Sequence, residues 1–101
     1  MTDSLVLEVI DWGLDVLGVS GKKAVWFYLE QDPNFNREKI PENLEDFEKA
    51  LRGLFGLGYD FLEVLFRKYL QEITGENLEG YKSFLECVSY LRVKSSEGVP
   101  K

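Results

Sequence analysis

Histidine is absent from this 101-residue sequence, and cysteine occurs once. Without histidine there is no Ser-His-Asp or Cys-His nucleophile pair. The Glu-x-x-His di-iron signature of helical bundles and the usual zinc ligand sets fall away too. A phosphorylated histidine is excluded on the same ground. A single cysteine forms no intrachain disulfide, and Cys87 beside Glu86 lacks the electropositive setting that makes a thiol reactive. It reads as a small packed side chain. Long apolar runs are missing as well, so no segment is expected to span a bilayer. The start, "MTDSLVLEVIDW", has acids and no basic n-region, so no signal peptide is expected. Basic residues are outnumbered 12 to 18, giving a net charge of −6. A duplex-binding protein carries a basic footprint and an anionic membrane attracts one, so neither nucleic acid nor membrane is the expected partner. The expected setting is the cytoplasm.

What is present is enough apolar material for one core: 45% of residues are apolar and 14% aromatic. That supports a single folded domain over residues 1–101, with a frayed tail from about 95. The periodicity predicts an all-α fold, a compact bundle of about five helices in antiparallel neighbours with short connections.

The first predicted helix is Ser4 to Leu17. Leu5, Val6, Val9, Ile10, Gly13, Val16 and Leu17 face inward; Leu7, Trp12 and Leu14 widen the arc. Glu8, Asp11 and Asp15 form an outer carboxylate stripe. It reads as a solvated face, because a metal site in a bundle needs ligands from several helices. Gly18 is the expected stop. The second helix, Gly21 to Gln31, is capped by Ser20. Its core, "AVWFYL", has strand-like composition, but the polar ends fit three helical turns. "DPNFNREKIP" follows as a loop, with one helical turn at 36–39 and with Pro33 and Pro41 holding the residues before them extended.

The third helix begins at Asn43, read as an N-cap with Asp46 reaching back in a capping box. Leu44, Phe47, Ala50, Leu51, Leu54 and Phe55 line its inner face. Gly56-Leu57-Gly58 ends it, one glycine taking positive φ. The fourth, Tyr59 to Thr74, turns Tyr59, Leu62, Leu65, Phe66, Tyr69, Leu70 and Ile73 inward, with Glu63 and Arg67 as an i, i+4 pair. Gly75 stops it. The fifth, Glu79 to Val93, carries Tyr81, Phe84, Leu85, Val88 and Leu91 inward.

Three stretches carry a resemblance: "LGVSGKKAVWFYLE" (17–30), "REKIP" (37–41) and "FEKALRGLFGLGYDFLE" (47–63). The pattern of Leu-Gly-x-Ser, a basic residue, Ala, an aliphatic, aromatics and Leu-Glu continues with Arg-Glu-x-Ile-Pro and Phe-x-x-Ala-Leu-x-x-x-Phe-Gly-x-Gly. It resembles the Nitrosopumilus output domain family, formerly a domain of unknown function. The resemblance covers roughly Leu5 to Gly75; Tyr59 departs from it, standing where a smaller residue is expected. It implies an archaeal helical domain, in some members attached to signalling modules. It supplies no catalytic residues.

Two candidate surfaces remain. "GVSGKKA" fails the phosphate-loop pattern, with Val16 and Lys23 at the positions of its first Gly and its Ser or Thr. Lys22 and Lys23 near a helix N-terminus could instead form a weak anion site. On helical wheels Trp26, Phe27, Phe61, Val64 and Tyr90 lie off the core stripes. Another helix of the chain, a second molecule or a small apolar ligand must cover them. The expected function is a non-enzymatic interaction domain, a signalling output or a homodimer, with Trp26 and Phe27 at a two-fold interface. The alternative is a domain binding a small apolar or anionic ligand. No cofactor, metal, nucleotide or DNA is expected to bind.

Overall fold

The computed structural model describes residues 2–97, and among these every regular element is helical. The α-helices are α1 (Thr2–Leu14), α2 (Gly18–Leu29), α3 (Leu44–Phe55), α4 (Tyr59–Thr74) and α5 (Phe84–Glu97). The all-α class is as expected, and "AVWFYL" is helix. The expected separation into five helices is not. A 3-10 turn, Asp15–Leu17, runs α1 into α2, and another, Gly56–Gly58, runs α3 into α4. Helical residues therefore fall into four unbroken stretches: 2–29, 37–42, 44–74 and 84–97. The bends sit at Gly18 (φ +80) and Gly56 (φ +59), conformations a β-carbon disfavours. Ser20 consequently lies inside α2 rather than capping it.

The core is built on α1 against α4. Val6, Val9, Ile10 and Leu14 are buried on one side, Leu62, Phe66 and Leu70 on the other. Gly13 lets them meet: a β-carbon there would lie 2.3 Å from the Phe66 ring. Phe66 in turn packs on Tyr59 and Phe84, with ring centroids at 6.4 and 5.3 Å. α3 adds Leu44, Phe47 and Leu51, and α2 adds Val25 and Leu29.

The last connection departs from the antiparallel expectation. After Gly75 (φ +75) the chain runs back along α4. Leu78 N–H donates to Gln71 Oε1 at 2.7 Å, and the Arg67 guanidinium donates to the Tyr81 carbonyl. α5 then starts beside Glu63, whose Oε2 accepts the Phe84 N–H at 3.1 Å. It ends with Lys94 paired to Glu76, just beyond the last residue of α4. α5 thus runs in the same direction as α4. Its start is Phe84, not Glu79, and it continues through Lys94–Glu97, where a frayed tail was expected. The rest of that tail lies outside the described residues.

Three local expectations need correction. The Asn43 side chain makes no cap bond; its Nδ2 donates to the Lys39 carbonyl at 3.2 Å. The loop before it is ordered as a 3-10 turn, Arg37–Glu42, capped by Asn36, whose Oδ1 accepts the Glu38 N–H at 3.0 Å. Ile40, ahead of Pro41, lies within this turn rather than extended. Arg67 forms no ion pair with Glu63, because each is committed to the α5 approach, Arg67 to Tyr81 and Glu63 to Phe84.

Candidate functional site: the outer faces of α2 and α4

The carboxylate stripe and the lysine pair turn out to be one structure. Lys22 Nζ lies 2.7 Å from both Asp11 and Asp15, and Arg37 Nη2 lies 3.1 Å from Asp11. Hydrogen bonding to Asp11, then to Asp15, raises the Lys22 pKa above the ordinary lysine value. A lysine already held by two carboxylates is not free to bind an anion. Of the two residues expected to form an anion site, Lys22 is engaged by carboxylates and Lys23 is exposed. Their helix also begins at Gly18, which puts both lysines a turn past the N-terminus. Among the described residues no three metal-ligating side chains converge.

Trp26 has cover from its own chain. The Arg37 guanidinium stacks 4.0 Å from the ring centroid, and the half-buried ring packs against the core. Arg37 is thereby shared between Asp11 and Trp26, and an indole under a guanidinium is a favourable cation–π pair. The expected reading of Trp26 as the anchor of a two-fold interface lacks the exposed ring it required. Nor is α2 the bundle's central rod, since Val25 and Leu29 alone among its side chains are buried. Tyr90 is also covered internally, tilted against Tyr81 with centroids 5.0 Å apart.

Three of the five expected surface residues do stand in solvent. Phe27 is 67% exposed, directly opposite Val25 and Leu29 on α2. Phe61 and Val64 are 60% and 57% exposed on the side of α4 opposite Leu62, Phe66 and Leu70. They are joined by a residue that periodicity within one helix did not reach: Leu57, 87% exposed, in the 3-10 turn ahead of α4. Phe61 and Val64, three residues apart, share one side of α4, and Leu57 precedes them by four residues in the 3-10 turn that leads into it. Gly56 takes the positive φ expected of the glycine pair and bends the chain there; the sequence signal for Leu57 was its spacing to Phe61 and Val64 just beyond that bend. Beside them, Asp60 is held by Arg52 at 3.1 Å, so its charge is locally balanced.

Beneath this face lies a buried polar group between α4 and α5. Glu63 is buried, the Arg67 Nε is buried without a hydrogen-bond partner, and Cys87 is fully buried with its Sγ 3.9 Å from the Leu78 carbonyl. Burial pushes the Cys87 thiol up, against the pull of Arg67. The thiol is thus a packed side chain, as the sequence suggested.

No family model matches the chain, and no solved structure matches it. It is similar to the phosphoglucosamine mutase of Dictyoglomus thermophilum, at 32% identity over 72 residues, 69% of this chain. The chain spans 16% of that mutase. No helix among the described residues is long and apolar enough to cross a membrane.

Proposed function

We propose that this chain is a non-enzymatic protein-interaction domain that pairs with a second copy of itself through the outer face of α4. The observation that supports this is the exposure of Leu57, Phe61 and Val64. Single exposed apolar side chains are ordinary, but Phe61 and Val64 on one side of α4 with Leu57 just ahead of them make a patch. Covering side chains of this size stabilises by about 1.5–3 kcal/mol each. An isologous pairing sets this patch against its own copy, with Phe61 as the aromatic anchor. The net charge of −6 opposes pairing, and salt screens that repulsion within about 8 Å at physiological ionic strength. Association therefore strengthens as salt is raised.

The absence of histidine supports the non-enzymatic part of this reading, as does the engagement of Asp11 and Asp15 by cations. A role as a signalling output module follows from the resemblance to the Nitrosopumilus output domain family. The activity named for the mutase is not carried over, because the chain spans 16% of that protein.

Sedimentation equilibrium tests the proposal. Wild-type protein should show a mass that rises with concentration toward twice the monomer. Phe61→Ser should remain monomeric with an unchanged circular dichroism spectrum, and Trp26→Ala should still associate. A wild type that stays monomeric at every concentration, or a Phe61→Ser variant that associates like wild type, would overturn it.

A further inference from the structure

Residues 76–83, which run back along α4, are held to it mostly through their backbone. Leu78 is the one side chain among them that is buried; Glu76, Tyr81 and Ser83 are half-buried, and Asn77, Glu79, Gly80 and Lys82 are exposed. Two α4 side chains a helical turn apart make the ties, Gln71 to the Leu78 N–H and Arg67 to the Tyr81 carbonyl. Tyr81 also lies against Tyr90, and Glu76 pairs with the half-exposed Lys94.

Both ends of this segment are anchored independently of its middle. At one end Gly75 takes φ +75, and its N–H closes α4 by donating to the Gln71 carbonyl at 2.8 Å. At the other end Ser83 and Glu86 cap α5, with Glu86 accepting the Lys82 N–H and Glu63 accepting the Phe84 N–H. None of these bonds uses residues 76–81. The side chains that bury α5 in the core, Phe84, Val88 and Leu91, belong to α5 itself.

What the segment covers is polar. The Arg67 Nε is buried beside it with no hydrogen-bond partner, and the Sγ of the fully buried Cys87 lies 3.9 Å from the Leu78 carbonyl. A buried donor without a partner favours a state in which water reaches it. The bonds from Gln71 and Arg67 exchange for bonds to water with little net loss, and a partly exposed ion pair adds little. Burial of Leu78 is therefore the main hold on the segment. One apolar side chain is a weak hold beside the core that global unfolding has to expose.

We propose that residues 76–81 form a lid that opens between Gly75 and the capped start of α5 while the packed helices stay in place, admitting water to Arg67 and Cys87. The opening uncovers little apolar surface, so it occurs far more often than unfolding of the chain.

Cys87 is the sole cysteine, so labelling with an aromatic disulfide reports the lid directly: its thiolate displaces one nitrothiobenzoate per chain. At urea concentrations below the unfolding transition the labelling rate should be nearly independent of urea, because the opening exposes little surface. It should exceed by at least about tenfold the rate that global unfolding allows. Leu78→Ala should speed labelling at least about tenfold, since the closed state alone buries that side chain. Leu51→Ala, the same change on α3, should lower the urea midpoint and leave labelling at low urea at the wild-type rate, because Leu51 stays buried when the lid opens. Wild-type labelling that follows the urea dependence of global unfolding would overturn the proposal. So would a Leu78→Ala rate equal to wild type, or a Leu51→Ala variant that labels as fast as Leu78→Ala. If either variant fails to fold, the urea dependence of the wild type decides the matter by itself.

Discussion

At the scale of single residues the fold depends most on what Gly13 leaves out. The Phe66 ring occupies the space of its missing β-carbon, and that ring is pinned by Tyr59 and Phe84. Gly13→Ala should therefore destabilise by about 1–3 kcal/mol, the cost of overpacking a closed core. Urea denaturation measures it, and a change under about 0.5 kcal/mol would mean the ring can step aside. Two buried acids set the alkaline limit. Burial pushes both the Tyr59 hydroxyl and the Cys87 thiol above their ordinary values. The unfolded chain then sheds these protons at a lower pH than the folded chain does. Their contribution is intact below the ordinary thiol value of about 8.5 and is lost as pH rises past the ordinary phenol value of about 10. The urea midpoint should fall over that window, and Tyr59→Phe should flatten the fall. An equal fall in Tyr59→Phe and wild type would place its origin elsewhere.

At the scale of elements the two capping sites show what could be read from the sequence and what could not. Asn43-x-x-Asp46 and Ser83-x-x-Glu86 both fit a capping pattern. The second is the one that forms. Ser83 Oγ accepts the Glu86 N–H at 3.1 Å, and Glu86 Oε1 accepts the Lys82 N–H at 3.2 Å. Asn43 instead follows the 3-10 turn that orders Arg37–Glu42, which draws its side chain back to Lys39. Ser83→Ala should cost about 1 kcal/mol and Asn43→Ala clearly less. Thermal melts of the two variants compare them directly, and the reverse order would contradict the cap assignments. Helix periodicity placed most core positions of α1, α3 and α4, because a 3.6-residue repeat on a buried face is a local signal. The reversal of residues 75–83 along α4 was not legible. It depends on Gln71, Arg67 and Glu63 reaching groups between seven and twenty-one residues away, and no local pattern encodes that.

At the scale of the whole molecule the chain is elongated, 43 × 27 × 21 Å, with α1 and α4 as its packed centre. The sequence marked the aromatic and aliphatic residues off the core stripes but could not tell which had cover within the chain. Arg37 decides this for Trp26 and Tyr81 for Tyr90, each from a neighbouring loop. Among the described residues Phe61 and Val64 have no such neighbour, and with Leu57 they form the face proposed for pairing. The most direct test is the concentration dependence of methyl and aromatic chemical shifts in labelled protein. The account predicts changes on dilution at Leu57, Phe61 and Val64, enlarged at higher salt and absent in Phe61→Ser. Shifts that do not change with concentration, or that change instead around Val19 and Phe27, would contradict it.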